Sequence, residues 1–203
     1  MIYGIDVSHW NQDIDWKQVA ASGVRFAYLK ATEALSYADG TFLQNLRGAR
    51  AAGILVGAYH FFRPAFDPIL QADWFYKVAH EANDLPPAID LEDAGRMTRQ
   101  KMADAARICL ARSEERWQCK VMVYTNPGFW LEHLPSAQDW AAAYGLWQAT
   151  YAQIWPPSIY PWAGPHIWQF NSHGRLPGIR TNVDLNRFFG TLDELTGLKG
   201  GQP

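Results

Sequence analysis

In Pro86-Pro87-Ala88-Ile89-Asp90-Leu91-Glu92, two carboxylates stand two residues apart at the end of a short apolar run. Such a run reads as a buried strand. Alternate residues on a strand share a face, so Asp90 and Glu92 project together, about 6–7 Å apart at the backbone. Paired carboxylates at that scale cleave glycosidic bonds. Burying two acids side by side is costly, which a site that uses them explains better than a structural role does.

Other acids and polar groups fall where they could join this pair. Asp6 ends a first strand, Lys30 ends a second with Thr32 and Glu33 just beyond, and Tyr59, His60 and Phe61 end a third. Tyr124, Thr125 and Asn126 end a fifth, Gln148 lies in a sixth, Gln169 and Asn171 end a seventh, and Asp184 and Asn186 end an eighth. Each has a plainer reading. Asp6 with Ser8 and Asp184 with Asn186 suit turns, Lys30 and Glu33 suit a surface ion pair, and His60 reads as a hydrogen-bonded core residue. An oxygen-rich Mg²⁺ or Ca²⁺ site on Asp6, Asp90, Glu92 and Asp184 is a competing use. No HxH, HExxH or EF-hand spacing and no phosphate loop supports it, so no metal or cofactor is expected. There is no GxSxG elbow, and nothing near Cys109 or Cys119 in sequence would activate a thiol.

The elements that must hold these groups alternate. Strands are expected at Tyr3–Val7, Arg25–Lys30, Ile54–Phe61, Pro87–Glu92, Lys120–Thr125, Gly145–Tyr151, His166–Phe170 and Thr181–Leu185. Helices are expected after Asp15, around Thr41–Ala52, from Asp67-Pro68 to about Glu81, and from Thr98 to about Arg116, with Asp15, Asp67 and Thr98 as caps. Beyond the fifth strand the spacers lack helical periodicity. Eight strands with helices between the first five imply an α/β fold, an irregular (β/α) barrel whose chemistry sits at the C-terminal strand ends. An open doubly wound sheet is the alternative, without a GxGxxG loop to recommend it. Residues 1–195 are expected to form one catalytic barrel and 196–203 a flexible tail.

The chain has 203 residues, a net charge of −2 and a pI near 6.3. Without a basic stripe, nucleic acid is not an expected partner, and without a run of 18 apolar residues no membrane span is expected. The two cysteines suggest ordinary thiols rather than a disulfide framework. Ten Trp, nine Tyr and ten Phe exceed what packing needs and suit a groove that stacks sugar rings. No leader is expected ahead of the first strand, since neither a basic n-region nor an apolar h-region is visible.

Taken in order, Gly4-Ile5-Asp6-Val7-Ser8-His9-Trp10, Ile14-Asp15-Trp16, Phe26-Ala27-Tyr28-Leu29-Lys30-Ala31-Thr32-Glu33, Gly57-Ala58-Tyr59-His60-Phe61, Asp90-Leu91-Glu92, Tyr124-Thr125-Asn126, Leu146-Trp147-Gln148-Ala149, Ile167-Trp168-Gln169-Phe170 and Val183-Asp184-Leu185-Asn186 resemble the glycoside hydrolase family 25 lysozymes. The resemblance implies hydrolysis of the β-1,4 bond between N-acetylmuramic acid and N-acetylglucosamine. It implies Glu92 as general acid, an ionised Asp90 that stabilises cationic charge or orients the 2-acetamido group, and flanking Asp6 and Asp184. Tyr59, Tyr124, Lys30, Trp10, Gln148 and Trp168 would bind substrate, with Trp147 a further candidate wall. The partners implied are the glycan strands of bacterial peptidoglycan, met by a monomer that is made in the cytoplasm and released through a holin-type pore. A secreted autolysin with a trimmed leader would read the same way. Ala34 stands where the family often has Gly, and Asn11-Gln12 where Gln-Gly is commoner. A chitinase-like glycosidase and a non-catalytic wall-binding barrel remain the competing classes.

Overall fold

A computed structural model describes residues 1–152 and 154–200. Among them lie nine strands: β1 (Ile2–Val7), β2 (Val24–Glu33), β3 (Tyr37–Ala38), β4 (Leu55–Phe61), β5 (Ala88–Asp90), β6 (Met122–Thr125), β7 (Gly145–Ala149), β8 (Ile167–Gly174) and β9 (Val183–Phe188). Eight close into a barrel in the order β1, β2, β4, β5, β6, β7, β8, β9, with β9 returning to β1. The short β3 only extends β2 as an antiparallel hairpin. The expected α/β barrel is therefore the fold, and the open sheet is not.

Residue parity sorts the side chains. Phe26, Tyr28, Ala88, Met122, Trp147, Ile167 and Phe188 fill the barrel interior. Their neighbours Ala27, Leu29, Ile89, Val123 and Leu146 face outward and join the helices in a second core. Gly57 makes room for the interior rings, because a Cβ there would fall 2.5 Å from the ring of Tyr28.

The first helices follow the sequence pattern. They are α1 (Trp16–Ala21), α2 (Phe42–Ala51), α3 (Pro68–Ala79) and α4 (Arg99–Trp117). The side chains of Asp15, Asp67 and Thr98 accept N–H bonds in the first turns of α1, α3 and α4. Two departures matter. The spacer after β6 is helical, in α5 (Pro127–His133) and α6 (Gln138–Ala141). Asn126 caps α5 and proline opens it.

The second departure is direction. Strand β9 runs against both β8 and β1, whereas the other pairings round the ring are parallel. Asp184 thus lies near the start of the last strand, not its end, and still reaches the rim shared by the ends of the parallel strands. Residues 196–200, read from sequence as part of a flexible tail, finish helix α7 (Leu192–Gly197) and a 3-10 turn. Leu195 is fully buried, and Lys120 N–H donates to Lys199 O at 2.9 Å. Residues 201–203 of that tail lie outside the described residues.

Candidate active site

At the C-terminal ends of the parallel strands the barrel opens into a groove of about 340 Å³ that brings Asp6, Asp90, Glu92 and Asp184 together. Asp6 and Asp184 are register partners on antiparallel β1 and β9. Directly opposite residues share a face, so two like charges meet across one strand pair. Asp90 is the last residue of β5 and only 4 % exposed. Glu92 lies just past the strand and is solvent-accessible. Leu91 N–H still donates to Tyr124 O at 2.9 Å, and the Thr125 hydroxyl donates to Leu91 O at 2.8 Å. These bonds prolong the alternation, sending Leu91 outward and Glu92 into the groove with Asp90.

Asp6 is held from two sides. Gln169 Nε2 donates to its Oδ2 at 2.9 Å and Asn186 Nδ2 at 2.7 Å. Trp147 Nε1 donates to Asn186 Oδ1 at 2.7 Å, while the hydroxyls of Tyr124 and Tyr151 donate to Gln169 Oε1 at 3.0 and 3.1 Å. Every amide orientation in this chain is thereby fixed by Asp6, which as a carboxylate only accepts. Asp90 has the opposite character: its Oδ1 is buried without a hydrogen-bond partner.

A second polar chain braces the wall beside Glu92. Lys30 Nζ bonds Glu33 Oε2 at 2.8 Å, Arg63 bonds Glu33 Oε1, and Arg63 reaches on to Asp93. Lys30 and Glu33 are thus part of a half-buried chain and not the isolated surface pair expected. Phe61 lies between the cations, 5.0 Å from Lys30 Nζ and 4.4 Å from Arg63 Cζ. His60 is a core residue: its ring meets Thr32 Oγ1 at 2.8 Å and Gln71 Oε1 at 3.1 Å. Burial lowers its pKa to about 4, so it stays neutral. Gln71 in turn bonds both the N–H and the C=O of Arg63, so this histidine positions the wall. On the other side Asp39 accepts from the His9 backbone at 3.0 Å, fixing the turn that carries Trp10, 75 % exposed at the rim.

Crowding four acids in a desolvated groove favours their protonated forms. Burial raises Asp6 to about 6, with Asn186 and Gln169 opposing and Glu92 adding to the rise. Burial, then Asp6 and Glu92, raise Asp184 to about 8. Glu92 is also raised by desolvation, against the pull of Lys30 and Arg63. Asp90 is pushed well above the carboxylate range by burial and by Glu92. This shift runs against the expected ionised state of Asp90 and is opposed by Lys30.

Of the expected substrate residues, Tyr59, Tyr124, Lys30 and Trp10 line the groove. Gln148 and Trp168 do not. Trp147 and Ile167 point inward, so their neighbours Gln148 and Trp168 must point out. Gln148 Nε2 donates to Thr150 Oγ1 and Pro157 O, and Trp168 Nε1 donates to Thr150 O. Trp147 reaches the groove but is only 1 % exposed, a floor and not a stacking wall. Phe61 and Gln169, expected only at strand ends, line the groove too, as do Ser8, expected only in a turn, and Tyr151, which had no expected part. Parity with Ile167 signals Gln169; nothing in the loop sequence signals Tyr151. No group of three or more His, Cys, Asp or Glu among the described residues is arranged to hold a metal ion. Cys109 is buried, with a thiol pushed up to about 12, and Cys119 is also free. No helix among the described residues is long and apolar enough to cross a membrane.

Residues 5–179 match the family described as glycosyl hydrolases family 25. Lysozyme M1 of Streptomyces globisporus is 35% identical over 97% of this chain and 71% of its own length. The solved bacterial lysozyme from Streptomyces coelicolor superposes with a TM-score of 0.91 at 32% identity, covering 100% of this chain and 98% of that one. The muramidase from Trichobolus zukalii gives 0.86 at 28% identity, with both chains fully covered.

Proposed function

The chain belongs to glycosyl hydrolases family 25, and from that premise we propose that this glycoside hydrolase is a muramidase, cleaving the β-1,4 bond between N-acetylmuramic acid and N-acetylglucosamine in bacterial peptidoglycan. The observation that carries the reading is the groove that gathers the four carboxylates of Asp6, Asp90, Glu92 and Asp184 beside aromatic side chains. Sugar rings present apolar faces to such walls and hydroxyls to the polar floor.

In this reading Glu92 is the general acid. It is accessible to substrate, and its raised pKa keeps a proton available for the leaving glycosidic oxygen. Asp90 orients the 2-acetamido group. Its orphaned Oδ1 lacks a donor that an acetamido N–H supplies. The acetamido oxygen then attacks the anomeric carbon as the bond to the leaving oxygen breaks and Glu92 transfers its proton. Glu92, now a carboxylate, takes a proton from the water that opens the cyclic intermediate. Such substrate assistance is a recognised exception to the two-carboxylate scheme. Positive charge on the sugar, with Lys30 nearby, favours ionised Asp90 in the transition state. Asp6 and Asp184 position the pair, and Tyr59 and Tyr124 contact the acetamido region. Release through a holin-type pore stays part of the proposal.

Mass spectrometry of soluble fragments from purified peptidoglycan, with and without borohydride reduction, tests the reading. Reduced muramic acid at the new ends is expected. Reduced glucosamine ends, or no fragments, overturn it.

A further inference from the structure

Outside the groove, on the wall formed by β8 and β9, a second cavity of about 420 Å³ is lined by Tyr151, Ala152, Phe170, Asn171 and Arg187. The two cavities share Tyr151, which also lines the groove and whose hydroxyl ties to Gln169 in the carboxylate network. Arg187 is three residues from Asp184 on β9, about 10 Å of strand, and the odd spacing puts it on the outer face of the wall whose inner face carries Asp184.

Arg187 is held among aromatic rings. Its guanidinium lies 3.9 Å from the Phe170 ring, 5.4 Å from Trp168 and 5.7 Å from Tyr3. Three aromatic faces hold the cation and limit its freedom. Among the described residues no carboxylate lies within 4.0 Å of it, and its Nε is buried without a partner. Arg63, on the opposite wall, is by contrast paired with Glu33 and Asp93. Asn171 Oδ1 is taken by the His173 N–H at 2.7 Å, which leaves the amide NH₂ as the end this side chain can offer. Guanidinium and amide donors with no internal acceptor suit a planar carboxylate.

We propose that this side cavity is a carboxylate-binding subsite for the peptide that hangs from the muramic acid in the groove, with Arg187 the specificity-determining residue. The proposal rests on the muramidase reading and deepens it. A stem peptide leaves the sugar through its lactyl group, and an extended chain of a few residues, at about 3.3–3.6 Å each, is long enough to pass from the groove over its edge to the outer face of β9. Tyr151 is the lip over which the peptide passes. The ligand class is therefore peptide-substituted glycan, and bare glycan is the poorer substrate.

The test compares kcat/KM on peptidoglycan strands that carry stem peptides with kcat/KM on the same strands after amidase treatment. For wild type, the peptide-bearing strands should be preferred about tenfold, the range of one hydrogen bond to a charged group. Arg187→Gln should lose that preference by falling on the peptide-bearing strands while keeping wild-type activity on stripped ones. Asn171→Asp guards against misfolding of the first variant. It retains the acceptor for the His173 N–H and places a competing carboxylate in the cavity, so it should show the same selective loss. Equal loss on both substrates, or no loss on either, overturns the proposal. If wild type releases fragments from neither substrate, the muramidase reading fails first and the subsite falls with it.

Discussion

Asp184→Asn should make the protein more stable at pH 8 and leave its stability at pH 4 almost unchanged. In the folded chain the Asp184 carboxyl titrates at about 8 instead of 3.8, because burial and the charges of Asp6 and Glu92 oppose ionisation. A carboxyl whose folded pKa exceeds its unfolded one holds its proton more tightly in the native state. Its contribution to stability is intact below about pH 4 and is lost as pH climbs through about 8. At about 1.4 kcal/mol per unit, a gap of roughly four units sets a ceiling of about 5–6 kcal/mol. Two features lower that figure. The protons belong to a cluster and not to one residue, and the groove admits water, which screens the charges. A working value is about 2 kcal/mol, which for a domain of this size is about 4–8 °C in Tm. Thermal melts of wild type and variant at pH 4, 6 and 8 read it directly. A difference in Tm that does not grow between pH 4 and pH 8 would refute the argument that crowded acids strain this fold. The gain should come with lost activity, as expected where a site is kept at the expense of stability.

Other outcomes follow from single residues. Glu92→Gln should cut kcat by about 10²–10⁴-fold while leaving Tm near wild type, because it removes an accessible general acid and little packing; steady-state rates on peptidoglycan near wild type would remove Glu92 from its role. Ala34 adopts a left-handed backbone at φ 52°, so Ala34→Gly should raise stability by roughly 0.5–1 kcal/mol, read from denaturant midpoints. Gly57→Ala should destabilise by about 1–3 kcal/mol in the same assay, because its Cβ would meet the Tyr28 ring at 2.5 Å.

Much of the barrel was legible because period-2 runs and helix caps are local signals. Asp15, Asp67-Pro68 and Thr98 marked their helices for this reason. Asn126-Pro127 carries the same signal and opens α5, but a seven-residue helix shows too little periodicity to register. The reversal of β9 was not legible, since alternation along Val183–Phe188 reads the same in both directions. The assignments of Gln148 and Trp168 failed on parity: both lie within strands next to inward-facing residues, but on the outward face. The upward push on the Asp90 pKa was beyond reach of sequence because it depends on neighbours brought from β1, β2 and the end of β5.

The reversed last strand has one more consequence. By running away from the rim, β9 delivers the chain to the opposite pole, where Phe188 pairs with Ile2 and Leu195 of α7 packs beneath the interior rings. Both ends of the described chain therefore emerge behind the cutting face. A tether, affinity tag or second module fused at either end would trail the barrel as a rope trails a plough, and the groove would stay free to meet a glycan strand.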